Sequence, residues 1–148
     1  MCIRGVDMRV FRGVAALAVA LLTAAAAPAP ATDSPFLGFW YGIGEPDDPS
    51  ISYLDGYHAD GTYDAMFRKC EHGEAVWMQE AHGTWTFKDG ILRMVSDTVD
   101  GKPAMYDNSY TIELINGTEF RARLHEPLFL FIERRVEKFE FPPCYLGA

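Results

Sequence analysis

The sequence predicts an all-β protein: one barrel of eight antiparallel strands joined in chain order as an up-and-down meander. Three observations carry this prediction. Turn signals recur roughly every dozen residues. The segments between them alternate apolar and polar residues with period two, and beyond residue 31 nothing sustains the 3.6-residue apolar stripe of a helix.

The turn signals predict tight hairpins. Asp-Gly and Asn-Gly supply the positive φ angles that such turns need. The signals are Asp60-Gly61, His72-Gly73, Asp89-Gly90, Asp100-Gly101, Asn116-Gly117 and Glu126-Pro127. Only the first connection, 44–50 (GEPDDPS), is longer. Consecutive hairpins favour a barrel, because sandwiches usually need longer crossovers between their sheets.

The strands between these turns are predicted, in order, at 36–43, 51–58, 62–70, 75–87, 91–98, 105–115, 119–125 and 128–138. The fourth is long enough to carry a bulge near Gly83. Alternation is clearest in the sixth and seventh strands. One face of the sixth holds Tyr106, Asn108, Tyr110, Ile112 and Leu114, and in the seventh Phe120, Ala122 and Leu124 oppose Arg121, Arg123 and His125.

The first 31 residues predict a secretory signal peptide. Three arginines precede the uncharged apolar run 14–27, which is short for a membrane span, and small residues follow at the positions that a signal peptidase reads. We therefore predict cleavage after Ala31, a single mature domain at 32–148, and a periplasmic or secreted protein. A membrane anchor is the alternative for the apolar run, and Met8 is an alternative start to Met1.

Charge argues against two classes of partner. The chain has a formal net charge of −8, and removing the three arginines and one aspartate of residues 1–31 takes it to −10. Such a field repels nucleic acid and anionic membrane surfaces. We therefore expect neither nucleic acid nor an anionic membrane surface as a partner. We also expect no membrane span in the mature form.

Two cysteines remain once Cys2 leaves with the signal peptide. Cysteines of exported domains usually pair, so we predict a disulfide between Cys70 and Cys144. Closing so long a loop would stabilise the fold by roughly 4 kcal/mol. A metal site needs more ligands at close spacing, so no metal is expected.

The stretch Gly38-Phe39-Trp40 opens the first predicted strand and resembles the lipocalins and the wider calycin superfamily. Features similar to those of small bacterial lipocalin-like proteins recur at 60–63 (DGTY) and 83–87 (GTWTF). The resemblance covers about residues 36–136. It implies that Trp40 closes one barrel end, with Arg134 or Arg135 of the last strand stacked over its ring. Gly38 and Gly42 share the face of Trp40 and would leave room for the two side chains.

No catalytic pattern is present, so we expect no catalytic residues, no cofactor and no enzyme. The four histidines lie on different segments without ligand spacing, and we expect two of them, His72 and His82, to be solvated. The chain has no Gly-x-Ser-x-Gly, glycine-rich phosphate loop or His-Glu-x-x-His. After the disulfide, the mature chain keeps no free thiol for nucleophilic work.

The aromatic side chains favour binding of a small apolar or amphipathic molecule inside the barrel. An eight-stranded barrel is just wide enough for one such ligand or for its own side chains, so the same residues alternatively fill the core. The candidates are Trp77, Trp85, Phe87, Tyr106, Tyr110, Phe120, Phe129 and Phe131.

A protein-interaction or inhibitor module is the alternative function. It would act through acidic loops at 44–50, 71–74 and 97–102, which meet at barrel ends. The tail at 139–145 is interpreted as a strap pinned by Cys144 or, alternatively, as a segment that reaches a partner. The sequence leaves the oligomeric state open.

Overall fold

Residues 33–144 are described by a computed structural model, and the predicted signal peptide lies outside them. Eight antiparallel strands form a closed barrel in chain order. They are β1 (Gly38–Ile43), β2 (Ile51–Tyr57), β3 (Thr62–Glu71), β4 (Glu74–Lys88), β5 (Ile91–Val99), β6 (Lys102–Ile115), β7 (Glu119–His125) and β8 (Leu128–Val136). The predicted fold class is confirmed. Within the described range no helix has the length and hydrophobicity to cross a membrane.

The hairpin turns use the residues that the sequence pattern indicated. His72, Asp89 and Asp100 have φ angles of 53°, 52° and 50°, and each is followed by a glycine that also has positive φ. Two successive positive φ values match the right-handed twist of the flanking strands. The turn at Asn116 works differently, because its Oδ1 accepts hydrogen bonds from the backbone N–H groups of Thr118 and Glu119 at 2.9 Å each.

Bulges interrupt several of the strand pairings. The predicted bulge of β4 is confirmed between His82 and Gly83, where an added Cβ on Gly83 would lie 2.0 Å from the carbonyl oxygen of Val95. A bulge of β6 between Ile112 and Leu114 was not predicted. It places Leu114 opposite Arg121 and exposed, so the expectation that Leu114 shares the inner face of Tyr110 is wrong.

A buried aromatic plug closes one end of the barrel. Phe36 and Trp40 are fully buried, and the Trp40 indole N–H donates to the carbonyl oxygen of Phe36 at 2.7 Å. Phe120 packs edge-on against Trp40, with ring centroids 4.8 Å apart. This end of the cavity is therefore sealed by side chains.

Arg135 stacks on the outside of this plug. Its guanidinium lies 4.2 Å from the Trp40 ring centre and donates hydrogen bonds to the carbonyl oxygens of Pro35, Leu37 and Gly117 at 2.6–2.8 Å. Arg134 lies on the opposite face of β8 and is exposed. The contact between guanidinium and indole is thus made by Arg135.

The glycines of β1 make room for two different side chains. An added Cβ on Gly38 would lie 2.7 Å from Nη1 of Arg135, as expected for the arginine. An added Cβ on Gly42 would lie 2.3 Å from the phenol of Tyr53 rather than beside the indole. Gly42 therefore accommodates a ring that points into the barrel, which corrects the sequence-based interpretation of this position.

A C-terminal strap, residues 137–144, runs back along the outside of the barrel. The predicted disulfide between Cys70 and Cys144 is present, with their Cα atoms 5.8 Å apart. Phe139 stacks near Phe39, and the guanidinium of Arg68 lies 4.2 Å from the ring centre of Phe141. The outward-facing residues of β2 beneath this segment, among them Leu54, are buried. Hence β2 is covered on both of its faces.

Candidate ligand-binding cavity

The barrel interior holds a cavity of about 350 Å³. Its floor is formed by Tyr57 and Phe120, which pack beside the plug. Trp77 and Tyr106 line its other end and are 40% and 58% exposed, so the cavity opens to solvent there. This end is where the loop 44–50 and the turns before β4, β6 and β8 meet. We call it the mouth.

The cavity exists because short side chains occupy inward positions among rings. Ala65 of β3 pairs with Ala81 of the neighbouring strand β4, and both line the cavity. Ala122 lies inward on β7. Each leaves space that a longer side chain would fill. The rings of Tyr53, Phe67, Tyr110 and Phe131 enclose this space.

The eight aromatic candidates from the sequence divide into two groups. Trp77, Tyr106, Tyr110, Phe120 and Phe131 line the cavity. The other three lie elsewhere. The Trp85 indole donates to the carbonyl oxygen of His58 below the floor, Phe87 packs against Phe36, and Phe129 packs against Phe131. Sequence alternation shows which side chains face inward but not how deep in the barrel they lie. Residues of the plug therefore cannot be distinguished from residues of the cavity wall by sequence alone.

Two buried carboxyl groups were missed by the sequence analysis. Asp55 and Glu133 are 6% and 4% exposed and line the cavity. Backbone pairing places Asp55 beside Trp40 of the plug and Glu133 beside Gly42, two residues further along β1, so both lie deep in the barrel. The signal was available: each acid occupies an inward position in an alternating aromatic strand, at Tyr53-x-Asp55-x-Tyr57 and Phe131-x-Glu133.

Burial dominates the electrostatics of this pair. Loss of water raises the pKa of Asp55, and the nearby charge of Glu45 raises it further. Burial also raises the pKa of Glu133, followed by the charge and hydrogen bond of Asp55 and the charge of Glu45. At neutral pH the two carboxyl groups therefore retain at least one proton between them.

A third acid, Glu45, belongs to the loop between β1 and β2 and lines the cavity. Burial and the charge of Asp47 raise its pKa to about 7. It titrates near neutral pH, so the loop changes charge in the physiological range.

The tyrosine hydroxyls of the cavity differ in their hydrogen bonding. Tyr63 shares a 2.5 Å hydrogen bond with Ser96, and the Tyr57 hydroxyl lies 3.4 Å from the sulfur of Met94. The buried hydroxyl of Tyr53 has no partner within residues 33–144. Glu133 Oε2 likewise has no hydrogen-bond partner in this range.

The histidines lie outside the cavity. His58 Nε2 and His82 Nδ1 flank the Asp64 carboxylate at 2.7 and 2.5 Å, so His82, half-exposed, is bound to a neighbour rather than simply solvated. His125 Nε2 lies 2.8 Å from the hydroxyl of Thr111. In the described part of the chain, no three His, Cys, Asp or Glu side chains are arranged to hold a metal ion.

The inside of the barrel thus combines aromatic walls, a sealed floor, buried acids and an open mouth. Such an arrangement is suited to enclosing a small molecule that has an apolar body and a polar end. Neither a scan of protein-family models nor a search of curated proteins finds a match to this chain.

Proposed function

We propose that this protein is an exported, lipocalin-like binding protein, not an enzyme, that holds a small amphipathic molecule inside its barrel. The observation that carries the proposal is the cavity of about 350 Å³ between a sealed floor and an open mouth. Ligand pockets in proteins usually measure about 300–1,000 Å³. The size therefore fits one small molecule and not a long lipid.

Binding of an uncharged fluorescent probe tests this function. N-Phenyl-1-naphthylamine brightens in apolar surroundings, so its titration into the mature domain should give a saturable signal at one site per chain. Ala81→Phe places a ring in the cavity and should weaken the signal at least tenfold. Thr84→Phe adds the same ring on the exposed face of the same strand and should leave the titration unchanged. Equal binding by both variants would place the probe outside the cavity and overturn the proposal.

A protein-binding role through the mouth is the second candidate function. The observation that favours it is a set of exposed apolar side chains on the strand ends around the mouth, Val76, Met78, Met105 and Leu128, between 52% and 81% exposed. Met105→Ser with Leu128→Ser separates the two functions. If the cavity is the binding site, the double variant should keep full probe binding. If the exposed side chains around the mouth are the site, the double variant should lose binding to a partner protein.

A further inference from the structure

The wall of the cavity is acidic. Among the residues of 33–144 that line it are five acids, Glu45, Asp47, Asp48, Asp55 and Glu133, and no lysine, arginine or histidine. At the mouth, the charge of Asp48 is neutralised by the ammonium group of Lys69, which lies 2.9 Å away. None of the ion pairs formed within residues 33–144 includes Asp55 or Glu133. The deep end of the cavity therefore lacks a cation.

Two buried polar groups at the same place lack hydrogen-bond partners. Glu133 and Tyr53 are more than nine-tenths buried and aim into the cavity, yet neither Glu133 Oε2 nor the Tyr53 hydroxyl has a hydrogen-bond partner in the described chain. Buried polar groups in proteins are nearly always satisfied by protein, water or ligand. A buried ionised acid without a cation is unfavourable on its own, because the charge has lost its water. Both observations favour a ligand that is positively charged and carries N–H groups.

The upper cavity suits the remainder of such a molecule. The rings of Phe67, Trp77, Tyr110 and Phe131 stand between the acid pair and the mouth. They provide apolar contact for an aromatic or aliphatic body, and ring faces also attract cations.

We propose that the ligand is an organic amine, whose primary or secondary ammonium group donates hydrogen bonds to Asp55 and Glu133 while its apolar body lies between the rings of the upper cavity. This inference rests on the proposed binding function and specifies its ligand class. When the ammonium binds, the proton shared by the two carboxyl groups is released to solvent, and the positive charge of the ligand takes its place. The Tyr53 hydroxyl then accepts from the ammonium or donates to Glu133.

Three probes of nearly equal shape test the charge. Calorimetric titration at pH 8 would use 2-phenylethylamine, 2-phenylethanol and 3-phenylpropanoate. Hydrogen bonds to charged groups imply that the amine binds about 10- to 100-fold more tightly than the alcohol, with the carboxylate weakest. Phenethyltrimethylammonium keeps the charge but has no N–H group, so it should bind less tightly than the amine. Equal affinity for the amine and the alcohol, or tighter binding of the carboxylate, would overturn the inference.

Variants of the acid pair test the location. Asp55→Asn and Glu133→Gln each keep the shape of the side chain and should reduce the preference for the amine to about that for the alcohol. Asp89→Asn is the matched control: it removes the same charge from an exposed turn outside the cavity, and asparagine tolerates the φ of 52° found there. A preference that survives both cavity variants would place the cation elsewhere and contradict the proposal.

Proton release provides a separate readout. Because the carboxyl pair gives up a proton, amine affinity should rise with pH between about 5 and 8, whereas alcohol affinity should not. Titrations in buffers of different ionisation enthalpy should show release of about one proton per amine. Glu45 titrates in the same range, so Glu45→Gln is measured in parallel to separate its share. The other titratable groups that face the pair are Tyr53, Tyr57, Tyr63 and Tyr110, and burial raises the pKa of each away from this range.

The two proposals fail in different ways. If N-phenyl-1-naphthylamine and 2-phenylethanol enter the cavity but the amine shows no preference, the amine inference is wrong and the binding function stands. If none of the probes is sensitive to Ala81→Phe, the binding function itself is wrong.

Discussion

At the scale of single residues, the buried side chain of Trp40 closes one end of the barrel. It is fully buried, its N–H is satisfied by Phe36, and Arg135 covers its outer face. We expect Trp40→Ala to lower the free energy of unfolding by about 3–5 kcal/mol, as large core truncations do. Urea denaturation followed by circular dichroism measures this change. Trp77→Ala at the exposed mouth is the control, and a loss below about 1 kcal/mol for Trp40→Ala would contradict the role of a plug.

Asp55 is expected to oppose folding at neutral pH. Burial raises the pKa of Asp55 above its ordinary value of 3.8, so the folded protein binds more protons than the unfolded chain. The stability contributed by the protonated pair is complete below about pH 4 and is lost as pH rises through the folded pKa values. Asp55→Asn removes this penalty and should raise the free energy of unfolding by about 1–4 kcal/mol at pH 8, with little gain at pH 4.

Denaturation curves of both proteins between pH 4 and pH 8, without ligand, measure this difference. A gain that is equally large at both ends of the range would show that desolvation of the carboxylate is not its cause. The exposed acids act in the opposite direction. The ion pair with Arg93 keeps the pKa of Asp107 low, so its contribution is lost only in more acidic solution and is common to both proteins.

At the scale of elements, the strap completes the outer face of β2. The disulfide holds its end to β3, and Phe139 and Phe141 lie on Phe39 and Arg68. We expect replacement of both cysteines by serine to cost about 2–4 kcal/mol and to make residues 137–144 sensitive to proteolysis. Reduction of the native protein should reproduce both effects. Unchanged proteolysis in the serine variant would show that packing alone holds the strap.

The elements differ in how well the sequence predicts them. Period-two alternation and glycine turns are local, so the eight strands and their hairpins can be predicted from the chain alone. The bulge of β6 arises from its pairing with β7, and no residue type near Glu113 predicts it. The depth of a side chain depends on stagger between strands, which explains why Trp85 and Phe131 could not be distinguished.

The acids of the cavity show another limit. A charged residue within an aromatic strand is usually assigned to the solvent face, because buried charges are costly. Asp55 departs from that rule although it follows the period of its strand. A departure of this kind is itself informative, since natural sequences break local rules mainly at functional sites.

At the scale of the whole molecule, the net charge of the chain and the charged groups of the cavity have the same negative sign. The chain is acidic, and Asp47 lies in the loop at the mouth above the deep pair. A field of this sign attracts organic cations and repels anions. We expect the association rate of 2-phenylethylamine, measured by stopped flow, to fall several-fold between 20 and 500 mM NaCl, because screening shortens the reach of these charges. The rate for 2-phenylethanol should stay constant, and equal salt dependence of the two would contradict steering.

The path of the strap also determines how far apart the two ends of the described chain are. Residue 33 leads into β1 at the plugged end, whereas Cys144 is tied to Cys70 near the turn that borders the mouth. The two ends are therefore at opposite poles of the barrel. A protein tethered to a surface through its N-terminal side would present its opening to the solution, and a bulky group joined after Cys144 would stand beside the entrance.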